Sequence, residues 1–252
     1  MRRLELIGIL NYTPDSFSDG GRYNTPGKAM ARTQEMFEQG ASIVDVGAES
    51  TRPGAIPLTA DEEWGRVVEL LELIIPGYTG SISFDTHHPE NVLRAAQIGS
   101  FILNDVTGFN NPLMIEAAAE IGCELISSHL PIQVGVDIQT GHQNADMQID
   151  SVEQVLDQSL TQRDKLVAEG IRKEAIKLDP GIGFAKPKLG WVLLKFGLLV
   201  PDHQVVIGYS KKKFLGPDRM ELPVNLKAGA IAKESNAAYI RVHDVEGHSV
   251  LL

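Results

Sequence analysis

Eight short apolar segments are spread along the whole chain, and each runs into polar residues before a helical pattern begins. The segments and the polar residues after them are Leu6–Leu10 with Asn11, Ile43–Val44 with Asp45, Ser81–Phe84 with Asp85, Phe101–Leu103 with Asn104, Leu125–Ile126 with Ser128 and His129, Ile176–Leu178 with Asp179, Val205–Ile207 with Ser210 and Lys212, and Tyr239–Ile240 with Arg241 and His243. In a barrel of alternating strands and helices, the carboxyl ends of all strands meet at one face, where the active site lies. The pattern therefore predicts a (β/α)8 barrel, the TIM barrel fold, with one polar pocket built from eight chain segments.

The length of the chain fits this prediction. A single barrel typically takes about 250 residues, and this chain has 252. Hydrophobic residues make up 43% of the chain and charged residues 22%, which is enough apolar surface for a sizeable core. Only ten residues follow Val242, so little room is left for a final helix. We expect residues 1–252 to form a single (β/α)8 domain in which the eighth helix is short or missing.

Composition and charge exclude several classes of partner. The net charge of -10 argues against nucleic acid or an acidic membrane surface. No apolar stretch approaches the about 20 residues that a membrane span requires. Cys123 is the only cysteine, so no internal disulfide can form, which fits a reducing compartment. His87 and His88 are adjacent, lack the spacing of metal ligands, and are expected to be solvated loop residues. We expect a cytoplasmic protein that acts on small molecules, with no nucleic-acid or membrane partner.

Local signals predict the limits of several helices. Thr59 followed by Glu62 has the spacing of a capping box at a helix N-terminus. Ser151 is a residue type favoured as the N-cap of a helix over about Val152–Glu169. Apolar spacing predicts one further helix over about Leu189–Leu199, between the sixth and seventh strands.

Five longer motifs, in order along the chain, carry a resemblance to a known family. Gly8–Gly21 reads GILNYTPDSFSDGG, Asp45–Ala55 reads DVGAESTRPGA, Asp179–Phe184 reads DPGIGF, Gly208–Gly216 reads GYSKKKFLG, and Arg241–Val245 reads RVHDV. Together they resemble the signatures of the dihydropteroate synthases, which are pterin-binding TIM barrels. The resemblance covers nearly the whole chain.

The resemblance implies a transferase of folate biosynthesis. Members of the family join 4-aminobenzoate to the hydroxymethyl carbon of 6-hydroxymethyl-7,8-dihydropterin diphosphate and release pyrophosphate. A pterin is flat and carries hydrogen-bond donors and acceptors around its edge, so each buried polar group left unpaired costs about 1–3 kcal/mol. By resemblance, the residues that bind the pterin are Asp85, Asn104, Asp179 and Lys212.

The resemblance also assigns the other parts of the site. It implies that the diphosphate contacts Asn11, Thr51, Arg241 and His243. It implies that 4-aminobenzoate contacts Thr51, Arg52, Pro53, Phe184, Ser210 and Lys212. The residues expected to act in catalysis are Lys212, Asp85, Asp179, Arg241 and His243.

A magnesium ion is the expected cofactor. In the family, the residue that matches Asn11 is a ligand of Mg²⁺, and this ion usually binds through few protein ligands together with phosphate oxygens. Asp45 is a further candidate for the shell of the pterin or of the cation.

The chain departs from the family pattern in two places. Ser128 stands where a methionine packs on the pterin face, and the final helix is nearly absent. These departures motivate an alternative reading, a divergent pterin-binding paralogue without catalysis. A pterin-dependent methyltransferase is the second alternative, but the Lys212 motif does not support it and it requires a corrinoid partner. Without an eighth helix, Ile240 and Val242 are expected to leave an exposed apolar patch that serves a homodimer.

Overall fold

The structure, a computed structural model, describes residues 3–13, 25–51, 54–78, 81–131, 138–141 and 148–252. Within these ranges, eight parallel strands pair in chain order, and the last strand pairs with the first to close a barrel. The strands are β1 (Glu5–Asn11), β2 (Ala41–Gly47), β3 (Ile82–Asp85), β4 (Ile102–Asp105), β5 (Glu124–Ser128), β6 (Ile176–Asp179), β7 (Gln204–Gly208) and β8 (Tyr239–Val242). The predicted (β/α)8 fold is confirmed.

Helices alternate with the strands along the chain. In the described ranges they are α1 (Pro26–Glu38), α2 (Ala60–Ile74), α3 (Pro89–Ala96), α4 (Pro112–Ile121), α5 (Ile138–Gly141), α6 (Val152–Ala168), α7 (Gly190–Leu193), α8 (Leu222–Glu234) and α9 (Val245–His248). None of these helices combines the length and the apolar character that a bilayer-spanning segment requires.

The predicted helix caps are present. The hydroxyl of Thr59 accepts a hydrogen bond from the backbone N–H of Glu62 at 3.3 Å, and the Glu62 carboxylate accepts one from the Thr59 N–H at 2.9 Å. This reciprocal pair is the capping box at the start of α2. The Ser151 hydroxyl accepts from the Gln154 N–H at 3.3 Å and caps α6. The N-termini of α2 and α6 are therefore predicted correctly from the sequence.

The single helix predicted over about Leu189–Leu199 is wrong. The chain forms the one-turn helix α7 and then a separate 3-10 turn over Phe196–Leu198. Two glycines allow close contacts here: a Cβ at Gly190 would lie 2.2 Å from the Phe214 ring, and one at Gly197 would lie 2.4 Å from the backbone oxygen of Ser235. Each glycine also lowers helix stability by about 1 kcal/mol relative to alanine. Close packing has replaced a continuous helix.

The end of the chain confirms one expectation and corrects another. The eighth helix is short, because only α9 and a 3-10 turn over Ser249–Leu251 follow β8. The expected exposure of Ile240 and Val242 is wrong, since both side chains are fully buried and pack in the main core together with Val245. Exposed large apolar side chains are scattered over the described surface, and four of them, Trp191, Val192, Leu198 and Leu199, lie on and after α7.

A small apolar cluster lies apart from the main core and marks one face of the strands. It contains Ile7, Ile43, Ile102, Ile126 and Val206, from β1, β2, β4, β5 and β7. In a barrel whose helices cover the outside, a cluster drawn from so many strands belongs to the interior. Because side chains alternate along a strand, residues two positions later point to the same interior face.

Candidate active site

The interior face carries polar side chains at the carboxyl ends of the strands. Two positions after the inner apolar cluster, this face holds Ile9, Asp45, Asn104, Ser128 and Gly208. The strand register extends the set, because Asn104 pairs with Asp85, Ser128 with Asp179, and Gly208 with Arg241. Residues from all eight strands therefore reach one mouth, and the last residue of β1, Asn11, pairs with Gly47 beside it. The convergence predicted from the sequence is present.

Arg241 joins two carboxylates across this mouth. Its Nε donates to Asp45 Oδ2 at 2.6 Å, and its Nη2 lies 3.0 Å from Asp85 Oδ2. Asn104 Nδ2 donates to both oxygens of Asp45, at 3.2 and 3.1 Å. Asp45 is fully buried, so the guanidinium and the amide supply the partners that a buried carboxylate requires. Four strands are thus tied together by one polar network.

Burial and neighbouring charges shift the pKa of Asp85 and that of Arg241. Burial raises the pKa of Asp85, the nearby Asp45 carboxylate raises it further, and Arg241 acts in the opposite direction. Burial alone lowers the pKa of Arg241, but Asp45 and Asp85 raise it overall, so the guanidinium stays charged. A positive charge therefore lies permanently at the centre of this part of the mouth.

Asp179 and Lys212 form the second part of the mouth. The Asp179 Oδ1 accepts from the backbone N–H of Gly181 at 2.8 Å, and the Lys212 ammonium donates to the backbone oxygen of Ile182. A Cβ placed on Gly208 would lie 3.4 Å from Asp179 Oδ2 and 3.9 Å from Lys212 Nζ. The absent side chain of Gly208 therefore leaves open space between the carboxylate and the ammonium.

Burial and charge act in opposition on this pair. Burial raises the pKa of Asp179, whereas Lys212 and the Gly181 N–H lower it. Burial lowers the pKa of Lys212 to about 8. The Asp179 carboxylate acts to raise this pKa, and the Arg241 guanidinium lowers it further. Lys212 Nζ also lies 5.1 Å from the centroid of the Phe184 ring. An ammonium, a carboxylate and an aromatic face are thus brought together as predicted.

The other predicted residues lie around this centre. His243 Nδ1 is 3.0 Å from Ser210 Oγ, which joins the chain segments after β8 and β7. Thr51 is half-buried on the loop after β2. Arg52 and Pro53 lie outside the described residues. Arg241 lies in β8 and His243 directly after it, but the two side chains contact different groups.

Lys186 is a buried residue of the site that the sequence analysis missed. Its ammonium donates to the backbone oxygens of His129 at 2.7 Å, Phe184 at 2.9 Å and Gly181 at 3.2 Å. Burial lowers the pKa of Lys186 to about 7, although the nearby Asp179 carboxylate raises it. The signal in the sequence was weak, because Lys186 and Lys188 flank a proline and look like an exposed pair. Lys186 fixes the loop after β6, which begins next to Asp179 and carries Phe184.

A second polar cluster lies beside the mouth, and its histidines are not simply solvated. Glu49 follows β2, and His87 and His88 follow β3. Glu49 Oε2 lies 3.8 Å from His87 Nε2 and 3.4 Å from His88 Nε2. The exposed fractions of the three side chains are 4%, 26% and 16% in the same order. The expectation of solvated histidines is wrong, because Glu49 approaches from a segment distant in sequence.

Comparison with known proteins agrees with this geometry. Residues 7–243 match the sequence family described as pterin binding enzyme. The dihydropteroate synthase of Escherichia coli (strain K12) is 35% identical over 250 residues, which cover 96% of this chain and 86% of that protein.

Two crystal structures show the same fold with bound ligands. A Yersinia pestis dihydropteroate synthase, in a sulfonamide drug complex, superposes with a TM-score of 0.88 at 30% identity over 98% of this chain and 90% of that one. The Burkholderia cenocepacia enzyme, complexed with 7,8-dihydropteroate, gives 0.81 at 30% identity over 98% and 88%. On its sequence, its barrel and the residues at its mouth, this chain belongs to the dihydropteroate synthase family of pterin-binding enzymes.

Proposed function

We propose that the chain is a dihydropteroate synthase, a transferase that condenses 4-aminobenzoate with 6-hydroxymethyl-7,8-dihydropterin diphosphate and releases pyrophosphate. One observation carries the proposal: Asp85, Asn104 and Asp179 share the interior face at the barrel mouth, with Lys212 beside Asp179. The site thus offers acceptors for a flat polar heterocycle on one side and cations for a leaving anion on the other. The relative from Burkholderia cenocepacia holds the product of this reaction.

The pterin is proposed to lie among the acid and amide groups. The amino-pyrimidine edge of the pterin carries N–H donors, and the Asp179 carboxylate is the natural acceptor for two of them. Asp85 and Asn104 would hold another part of the same ring. Lys212 would lie between the pterin and 4-aminobenzoate, since Phe184, a proposed aminobenzoate contact, lies against its ammonium. The proposed catalytic residues are therefore Asp85, Asp179, Lys212, Arg241 and His243.

The diphosphate is proposed to lie towards β8 and the loop after β2. As the aryl amine nitrogen forms a bond to the methylene carbon, the C–O bond to the diphosphate breaks and its electrons leave with the anion, while the nitrogen releases one proton to solvent. Cationic groups favour this step because they stabilise negative charge that develops in the transition state. Arg241, His243 and Thr51 are the proposed contacts of the anion. Arg52 and Pro53 are proposed, with Thr51, Phe184, Ser210 and Lys212, to enclose 4-aminobenzoate.

The residues near Asn11 fit a magnesium ion. Asn11 pairs with Gly47 in the register of β1 and β2, and a Cβ on Gly47 would lie 3.5 Å from Asp85 Oδ2, so an asparagine and a carboxylate flank a position without a side chain. Mg²⁺ prefers such oxygen donors together with phosphate oxygens and water. Asn11 is the residue proposed to hold the ion. When bound, Mg²⁺ would supply positive charge against the diphosphate.

Pyrophosphate release tests the proposed reaction. The purified chain, with Mg²⁺, dihydropterin diphosphate and 4-aminobenzoate, should release pyrophosphate and form dihydropteroate in equal amounts. A non-catalytic paralogue would bind the pterin substrate without releasing pyrophosphate. A pterin-dependent methyltransferase would do neither and would need a methyl donor. Absence of product from a folded protein that binds the pterin would therefore contradict the proposal.

The rate should depend on the charge of Lys212. Its pKa lies at about 8 in the free protein, so the ammonium is charged below that pH and neutral above it. Because kcat/KM reports groups of the free enzyme, it should fall as the pH rises through about 8. Arginine keeps its charge at high pH, so the fall of kcat/KM above about pH 8 should disappear in Lys212→Arg. This holds even if the variant is slower at every pH. Lys213→Met, at the exposed neighbour, should keep the original profile. The same alkaline fall in Lys212→Arg would contradict the assignment.

Ser128→Met should strengthen pterin binding. Ser128 shares the interior face with Asp179, and a methionine there would lay its thioether against the pterin ring. Sulfur–aromatic contacts are worth about 0.3–1.5 kcal/mol, which corresponds to about a 2- to 10-fold lower KM for the pterin substrate. The turnover number should change little, because the contact acts on ground state and transition state alike. An unchanged KM would indicate that Leu130, which packs with Phe184, already covers the ring.

A homodimer and a cytoplasmic location complete the proposal. The exposed apolar side chains on and after α7, at Trp191, Val192, Leu198 and Leu199, are of the kind that interfaces cover. Light scattering at high concentration should give the mass of a dimer, and Val192→Glu should shift it towards the monomer.

The proposed cytoplasmic location rests on the single cysteine, which fits a reducing compartment.

A further inference from the structure

The cluster of Glu49, His87 and His88 has no part in the proposed reaction. We propose that it binds a first-row transition-metal dication such as Zn²⁺ or Co²⁺, with the two imidazoles and the carboxylate as ligands and water in the open position. Two histidines and one glutamate form a ligand set found in zinc sites with an open position. The inference concerns metal binding alone and holds whether or not the chain catalyses the proposed condensation.

The donor atoms already lie near coordination geometry. Around a tetrahedral zinc ion with bonds of about 2.0–2.1 Å, neighbouring ligand atoms are about 3.3–3.4 Å apart. Glu49 Oε2 lies 3.4 Å from His88 Nε2 and 3.8 Å from His87 Nε2, and all three atoms lie within 4.8 Å of one another. Small side-chain rotations would bring the three donors to one ion.

Two of the donor atoms are buried and have little else to bind. Glu49 Oε2 and His88 Nε2 lie 3.4 Å apart, and apart from this ion pair neither has a hydrogen bond from the described residues. A buried polar atom with an incomplete set of partners is destabilising. A metal ion would satisfy both atoms at once.

Neighbouring groups hold the ligands in place. The other oxygen of Glu49, Oε1, accepts from Gln139 Nε2 at 2.6 Å and from the Leu58 N–H at 3.3 Å, which leaves Oε2 for the ion. The backbone N–H of His88 donates to Thr86 Oγ1 at 3.2 Å. Partners of this kind orient ligands in known metal sites and sharpen their affinity.

The hydrogen bonds that hold His88 in place continue inward to the buried carboxylate of Glu63. Thr86 Oγ1 donates to Glu63 Oε2 at 2.6 Å, and Asn91 Nδ2 donates to the same oxygen at 2.7 Å. Because the loop after β3 is anchored in this way, a bound ion would fix the loop after β2, including the segment from Glu49 to Thr51, against it. Imidazole ligands favour Zn²⁺ or Co²⁺ over Mg²⁺, so the site differs in chemistry from the one proposed at Asn11.

Cobalt titration tests the site directly. The intact protein is stripped with a chelator, kept in excess Mg²⁺ without substrates, and titrated with Co²⁺ while visible absorption is recorded. We expect one equivalent to bind with the ligand-field bands of a four-coordinate ion. His88→Asn and His87→Asn should each weaken binding by at least about 100-fold, since each removes a direct ligand. His203→Asn, whose side chain lies against Arg163 rather than this cluster, should bind Co²⁺ like the unaltered chain.

Thermal melting separates ligand loss from misfolding. Without metal, each variant should melt cooperatively, and Zn²⁺ should raise the melting temperature of the unaltered chain and of His203→Asn but not of the His87 or His88 variants. His87 is the more exposed of the pair, so its replacement keeps the test sound if His88→Asn folds poorly. If Co²⁺ does not bind stoichiometrically, or if folded His87→Asn binds it as tightly as the unaltered chain, the cluster is an ion pair only and the proposal is overturned.

Discussion

Asp179→Ala should weaken binding of dihydropterin diphosphate by about 100-fold or more. The variant leaves two N–H donors of a buried pterin edge without an acceptor, and each unpaired group costs about 1–3 kcal/mol. It also removes the carboxylate that raises the pKa of Lys212 and accepts the Gly181 N–H. Isothermal calorimetry with the pterin substrate measures the effect directly.

Two control variants isolate the role of Asp179. Asp179→Asn keeps the shape and one acceptor for the Gly181 N–H but turns an amide N–H₂ towards the substrate donors, so its loss of affinity should approach that of alanine. Asp150→Ala removes an exposed carboxylate paired with Lys188 and should leave the affinity unchanged. Near-normal affinity in folded Asp179→Asn would show that the amino-pyrimidine edge lies elsewhere.

Lys186→Met should lower the free energy of unfolding by about 3 kcal/mol or more. The ammonium donates to three backbone oxygens, those of His129, Gly181 and Phe184, and each buried acceptor left unpaired costs about 1–3 kcal/mol. The relief from burying a cation offsets part of this loss. Urea unfolding followed by circular dichroism measures the change. The loop after β6, which begins next to Asp179, should also lose its shape, so pterin affinity should fall together with stability.

Lys188→Met is the matched control two residues away. Its side chain is 75% exposed and pairs with Asp150 on the surface, where ion pairs contribute about 0–1 kcal/mol. Both variants remove one positive charge and add one thioether, so a difference between them reports burial and hydrogen bonding. Equal stability of the two variants would mean that the Lys186 hydrogen bonds contribute nothing net.

The fold was predictable because its signals are local and repeated. Each strand of the barrel contains an apolar run that leads into polar residues, and two helix starts carry capping residues at Thr59 and Ser151. The failure at Leu189–Leu199 has a tertiary cause. Gly190 and Gly197 pack against Phe214 and against the backbone near Ser235, and a helical pattern cannot reveal contacts with chain segments far along the sequence.

The site was predictable as a set of residues but not as a network. Asp85, Asn104 and Asp179 lie at the carboxyl ends of their strands, so the register places them on one face. The bond from Arg241 to Asp45 joins residues 196 positions apart, and no local pattern specifies it. The same holds for Glu49 and His88, and for the buried Lys186, because proximity in each case follows only from closure of the barrel.

The Arg241 network has a consequence for the pocket before a ligand arrives. A guanidinium is a planar group whose N–H donors point in fixed directions. Arg241 therefore holds the carboxylates of Asp45 and Asp85 at a fixed spacing through ion pairs to both. This side of the mouth is ordered in advance, so a ligand that binds here does not have to order these side chains first, which removes part of the entropic cost of binding.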